Sequence, residues 1–134
     1  LAPFRSLADA RWAMTAHIAY RAFDDRPATQ SSRVVTDVIR GLCGFEGILV
    51  TDAIEMHALT GSYAARAVAS IDAGCDLALY CSGKLSEMEA IAAALQPMNA
   101  DSIARLDRSL AIAPADDGLV TSVLVAERDR LLAI

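Results

Sequence analysis

The run Ile48-Leu49-Val50-Thr51 constrains this chain more than any other. Its residues are apolar or β-branched. A Gly44-Phe45-Glu46-Gly47 turn signal leads into it, and a carboxylate, Asp52, ends it. A short run of this kind reads as a strand buried on both faces, which belongs in a parallel sheet covered by helices. In such folds the C-terminal ends of the strands open onto the ligand crevice. A carboxylate beside apolar neighbours needs either a partner or a task, because leaving it unpaired is costly. Two readings fit this stretch. Asp52 caps a short helix starting at Ala53, or it does chemistry.

The rest of the chain supplies similar units. Trp12 to Ile18 reads as a buried strand ending in a polar cluster of Thr15, His17 and Tyr20. Asp76 to Cys81 reads as a third. Ahead of the first strand, Leu1 to Arg11 is amphipathic and ends or carries a short helix, with Ser6 as a candidate N-cap. Asp24-Asp25-Arg26-Pro27 is a turn signal, and its Asp pair suits turn chemistry better than catalysis. Val34, Val35, Val38, Ile39 and Leu42 recur at helical spacing after a Ser31 or Ser32 cap. Residues 55–59 suggest a short helical turn closed by Gly61. A helix over 62–73, rich in Ala, follows, with Gly74 as its C-cap. A helix over 84–95 stops before Pro97, and Asn99 or Asp101 caps the next. Residues 114–118 read as a linker and 119–134 as a final amphipathic helix. Strands alternating with helices imply parallel pairing through right-handed crossovers, hence an α/β fold.

Composition excludes several classes. Net charge is −5 with a pI near 4.8, which argues against a nucleic-acid binder or a polybasic membrane-surface protein. No apolar run is long enough to span a bilayer as a helix. The first strand lacks a GxGxxG after it, and the chain lacks a Walker A motif, so nucleotide readings lack their phosphate cradle. Cys43, Cys75 and Cys81 have no CxxC spacing and sit in apolar contexts, as buried free thiols do. No metal or organic cofactor is implied. The first residues, starting at Leu1, read like mid-protein sequence, as expected of a piece of something longer.

Gly-Phe-Glu-Gly, the apolar strand and Thr51-Asp52-Ala53-Ile54-Glu55-Met56 together resemble the nucleophile strand of family 3 glycoside hydrolases, closest to the β-N-acetylhexosaminidase branch. Leu1 to Leu7, Met14-Thr15-Ala16-His17-Ile18 with Asp24 to Thr29, and Arg66-Ala67 with Ala73 to Asp76 resemble further family segments in the right order. The similarity covers roughly residues 1–85. Its specific part is the Thr-Asp-x-x-x-Met core together with the Ala-His strand. Glucosidases of the family usually carry Trp after the nucleophile, where this chain has Ala53, which favours the hexosaminidase branch.

The resemblance implies a partial TIM-type (β/α)8 barrel, with residues 1–134 as the C-terminal portion of the barrel domain: its last three βα units plus C-terminal helices. A full barrel takes about 250 residues. It implies a retaining glycosidase acting on GlcNAc-containing glycans such as peptidoglycan fragments, in cytoplasmic peptidoglycan recycling. Asp52 would be the catalytic nucleophile, with His17 and Met56 as substrate-binding residues. The family's acid/base loop, Lys-His-Phe-Pro-Gly-His-Gly followed by Asp-x-His, does not occur here. Retaining chemistry needs that second group. Glu55 suits an exposed helix-start carboxylate better than the acid, because an acid must lie across the scissile bond. His57 sits in an exposed-looking turn. Asp76, at the start of its strand, lies on the face where barrel residues serve stability. The partner expected is a carbohydrate, with self-association through an exposed sheet, or a missing N-terminal half, completing the core. The rival reading is a non-catalytic truncated α/β module.

Overall fold

The computed structural model describes residues 1–111 and 121–132. Strands β1 (Trp12–Met14) and β2 (Ile48–Val50) pair in parallel, with Trp12 opposite Ile48, Ala13 opposite Leu49 and Met14 opposite Val50. On β1's side, Thr15 N–H donates to Val50 O at 2.9 Å and Ile48 N–H to Arg11 O at 2.8 Å. On the other side, Thr51 N–H donates to Leu77 O at 3.0 Å, and Val50 and Leu77 form a parallel bridge. Three segments therefore lie side by side in chain order and run the same way. That is the α/β arrangement the sequence implies.

The outer two segments are shorter than their apolar runs. After Met14 the Thr15 and His17 side chains turn to Thr29, and the chain folds back through an antiparallel Ala19–Pro27 bridge. In the third segment, Leu79 N–H donates to Thr51 Oγ1 at 2.9 Å instead of to a main-chain carbonyl. The ladder stops there.

Helices cover this sheet. Ser31 starts the first long one: its Oγ accepts from Val34 N–H at 3.1 Å and its carbonyl from Val35 N–H at 2.9 Å. Val34–Leu42 is then wound as a π-helix, and Cys43 N–H reaches five residues back to Val38 O at 2.8 Å. Val35 and Ile39 pack with Phe45, Leu49, Cys75 and Ala13. Helices α2 (Tyr63–Asp72) and α3 (Leu85–Ala94) pack on each other, with Ile54, Leu59, Ala67 and Ile91 between them. Ser62 caps α2 through Ala65 N–H at 3.3 Å, and Gly74, at φ 108°, ends its turn. Asn99, rather than Asp101, caps α4 (Ala100–Ala111), its Oδ1 accepting from Ser102 N–H at 2.9 Å.

Three expectations are corrected. Ser6 follows helix α1 (Ala2–Arg5) instead of starting one, and its hydroxyl donates back to Pro3 O. Residues 53–59 form successive tight turns, not a helix, because Arg66 and neighbouring segments take the carbonyls a helix would use. Cys81 is exposed, while Cys43 and Cys75 are buried, because residue 81 lies beyond the covered part of its segment. The linker at 114–118 lies outside the described residues. Of the final helix, α5 (Thr121–Leu132) is described.

Two features fix the N-terminal end of the sheet. A Cβ on Gly47 would lie 2.5 Å from both Ala10 O and Arg11 O, so only glycine lets β2 enter beside β1. Asp76, its carboxylate fully buried, accepts from Arg40 Nη2 at 2.9 Å and Leu49 N–H at 2.8 Å on one oxygen. Its other oxygen accepts from Ser102 Oγ at 2.5 Å and Arg105 Nε at 3.1 Å. Burial alone would push this carboxyl up. The bonds from Ser102, Leu49 N–H and Arg105 outweigh it and hold Asp76 below the ordinary carboxylate value. Asp76 is structural, as its position at the start of the strand suggests.

Candidate active site

The opposite, C-terminal ends of the three segments converge. Thr51 is fully buried, and its hydroxyl is committed to Leu79 N–H. The next residue, Asp52, is half-buried, and its Oδ1 accepts from Ala53 N–H at 2.8 Å. A helix N-cap would bond two or three residues ahead and be followed by a helix. Neither occurs, so capping does not account for Asp52.

The backbone after Asp52 is held from three directions. From the segment following β1, His17 Nε2 lies 2.9 Å from Ala53 O. From the third segment, Leu79 O accepts from Ile54 N–H at 2.9 Å. From α2, Arg66 Nη1 donates to Ile54 O at 2.8 Å and Met56 O at 3.2 Å, while its Nε donates to Gly61 O. The Arg66 guanidinium also lies over the Tyr63 ring, 5.1 Å from its centre. Asp52 thus stands at the start of a loop with most of its main-chain freedom removed.

Glu55 is not an exposed helix-start group. It is half-buried and clasps the neighbouring loop, one oxygen accepting from Cys81 N–H at 2.8 Å and Ser82 Oγ at 3.2 Å. Partial burial would raise its pKa. Main-chain bonds from its own N–H and from Cys81, together with the Ser82 hydroxyl, lower it instead. A carboxylate held ionised in this way cannot serve as a proton donor near neutral pH.

His17 is half-buried, and its Nδ1 lies 2.9 Å from Thr29 Oγ1. The Met56 side chain is 44% exposed at the rim of the same loop. His57 is exposed in the turn beyond it. Asp24 belongs to its turn: its oxygens accept from Arg26 N–H at 3.1 Å, Arg26 Nη2 at 2.8 Å and Ser31 Oγ at 2.7 Å. Those bonds, Arg26 foremost, pull its pKa well below the usual carboxylate range. Thr29, Arg66 and Ser82 are the site's contributors that residue patterns did not single out. Arg66 was visible only as part of an Arg-Ala pair.

Residues 1–111 match the family described as "Glycosyl hydrolase family 3 N terminal domain". The chain belongs to glycoside hydrolase family 3. It is 41% identical over 122 residues to a β-hexosaminidase of Chromobacterium violaceum, covering 87% of this chain and 34% of that protein. It is 44% identical over 85 residues to one of Alkalilimnicola ehrlichii, covering 60% of this chain and 24% of that protein. Among solved structures it resembles the β-N-acetylglucosaminidase of Thermotoga maritima, with TM-score 0.68 and 30% identity over 87% of this chain and 29% of that one. A family 3 β-N-acetylglucosaminidase from Paenibacillus gives TM-score 0.70 and 31% identity over 90% of this chain and 28% of that one. The family 3 chain thus spans about a third, or less, of the length of these relatives.

Proposed function

We propose that this chain is the C-terminal portion of a (β/α)8 barrel in a retaining β-N-acetylhexosaminidase, with Asp52 as the nucleophile. The observation that carries the reading is a half-buried carboxylate at the C-terminal end of a central parallel strand, oriented by a main-chain N–H and not spent as a helix cap. Three parallel segments adjacent in chain order suit consecutive units of a barrel. The names of the relatives, β-hexosaminidase and β-N-acetylglucosaminidase, supply the substrate class. GlcNAc-containing glycans such as peptidoglycan fragments, handled in the cytoplasm, are the proposed substrates. His17 and Met56 belong to the walls of the site. Asp52 attacks the anomeric carbon and forms a glycosyl-enzyme ester. A group outside this chain protonates the leaving oxygen and then activates water. No step calls for a metal or an organic cofactor.

The test uses the hydrolase containing this segment and 4-nitrophenyl N-acetyl-β-glucosaminide. Asp52→Ala abolishes hydrolysis, and a 5-fluoro glycosyl fluoride label found on the wild type by peptide mass is absent from Asp52→Asn. Near-normal turnover in either variant sinks the assignment.

A second reading has its own observation. Phe4, Leu7, Trp12 and Met14 are exposed around a groove of about 550 Å³ beside β1. A non-catalytic module would bury that surface by self-association or against a separate N-terminal half. Light scattering that finds a monodisperse monomer of the 134-residue chain counts against it.

A further inference from the structure

We infer that His17 is a positioning residue for Asp52, acting through the main chain at Ala53 instead of through the sugar. The inference rests on the nucleophile reading above. Both ring nitrogens are engaged, Nδ1 at 2.9 Å from Thr29 Oγ1 and Nε2 at 2.9 Å from Ala53 O. A carbonyl only accepts, so Nε2 must carry a hydrogen. In the neutral ring Nδ1 is then the acceptor and takes the hydroxyl hydrogen of Thr29. Thr29 Oγ1 can in turn accept from Thr15, 2.8 Å away. Thr15 and Thr29 are 5% and 0% exposed, so the relay is anchored in the interior.

The relay ends on the peptide next to the one that meets Asp52. Ala53 N–H donates to Asp52 Oδ1 at 2.8 Å, and Ala53 O accepts from His17. The Ala53–Ile54 peptide is also held at its nitrogen by Leu79 O, 2.9 Å away. With its oxygen and nitrogen both held, that peptide fixes where the chain leaves Ala53, and it restrains the adjoining Asp52–Ala53 peptide, whose N–H aims the Asp52 carboxylate, from one side. Neither imidazole nitrogen remains to meet a sugar hydroxyl. Protonating the ring would not free the loop: the imidazolium still donates from Nε2, and only the Thr29 hydroxyl reverses direction.

The test is a split between chemistry and binding in the hydrolase containing this segment. Steady-state kinetics use 4-nitrophenyl N-acetyl-β-glucosaminide, with N-acetylglucosamine as competitive inhibitor. His17→Ala lowers kcat/KM about 100-fold, as a misplaced reacting group does, while the inhibition constant stays within about threefold. His17→Gln, whose amide nitrogen can take the Nε2 position, recovers most of the loss. An inhibition constant that weakens in step with kcat/KM would mean direct sugar contact and overturn the inference. So would a His17→Ala enzyme of wild-type activity. Long-range 1H–15N NMR of the wild-type protein adds a readout independent of folding in the variants. The neutral ring must be the Nε2–H tautomer, and an Nδ1–H tautomer overturns the inference. An active Asp52→Asn enzyme would refute the nucleophile reading itself, whichever tautomer is found.

Discussion

Replacing Asp76 by Asn tests whether the N-terminal end of the sheet is held by charge or by shape. The carboxylate accepts from four donors, two on each oxygen, and its side chain is fully buried. Asparagine keeps the size, but one terminal atom becomes a donor. Two of the four donors would then face a donor, and Arg40 and Arg105, with side chains only 21% and 24% exposed, would lose their shared counter-charge. Breaking a buried ion pair from one side costs about 3–5 kcal/mol. For 134 residues unfolding together that corresponds to a fall in Tm of about 11–18 °C. The sign with pH follows from the depressed carboxyl. Its contribution is complete above the unfolded-state value of about 4 and is lost as the pH falls through the lower folded-state value. The gap between wild type and Asp76→Asn should therefore be full at neutral pH and narrow on acidification below about 4. Urea unfolding followed by circular dichroism at a series of pH values measures it. A gap below about 1 kcal/mol at neutral pH, the range of an exposed pair, would refute the reasoning, as would one that widens in acid.

Gly47→Ala should destabilise by about 1–3 kcal/mol or more, because its Cβ meets two main-chain oxygens that cannot swing away as a side chain could. Thermal unfolding of the variant, with a Gly44→Ala control whose Cβ meets nothing within 4 Å although its φ is 73°, separates crowding from backbone strain. The cysteines should label unequally: at pH 8 a thiol reagent takes the exposed Cys81 at once. Buried Cys75, whose thiol burial pushes up to about 12, should react only on unfolding. Fast labelling of Cys75 in the folded protein would mean that the layer between Val35 and Leu49 opens readily.

Sequence patterns carried the strand starts well, and the strand ends and the contacts between distant segments poorly. Ile48 to Thr51 announced a buried strand because burial on both faces leaves no polar positions, and Asp52 stood out against it. The π-helix at Val34–Leu42 was invisible as such, since its apolar residues recur as they would in an α-helix. The clamp on Ala53 was equally hidden. His17 and Arg66 reach main-chain carbonyls, which every residue has, so the partner leaves no mark on the sequence. Glu55 suits a helix start only if a helix follows Asp52, and turns follow instead.

The two aspartates at opposite ends of this sheet differ in how their oxygens are used. Asp76 has two acceptor bonds on each oxygen, two of them from arginines, and such a carboxylate is a fixed structural anion. Its lone pairs are committed and its surroundings are closed. Asp52 is aimed by one neighbouring amide and remains half-open. A nucleophilic carboxylate must stay ionised, hold its direction and keep an oxygen available for a bond to carbon. On the nucleophile reading proposed for Asp52, the main-chain clamp would meet the second requirement without consuming the third, since His17, Arg66 and Leu79 all bind the peptides after Asp52 and leave the carboxylate itself alone. Had His17 and Arg66 donated to the carboxylate itself, as Arg40 and Arg105 do at Asp76, the residue would be better ordered and less able to react.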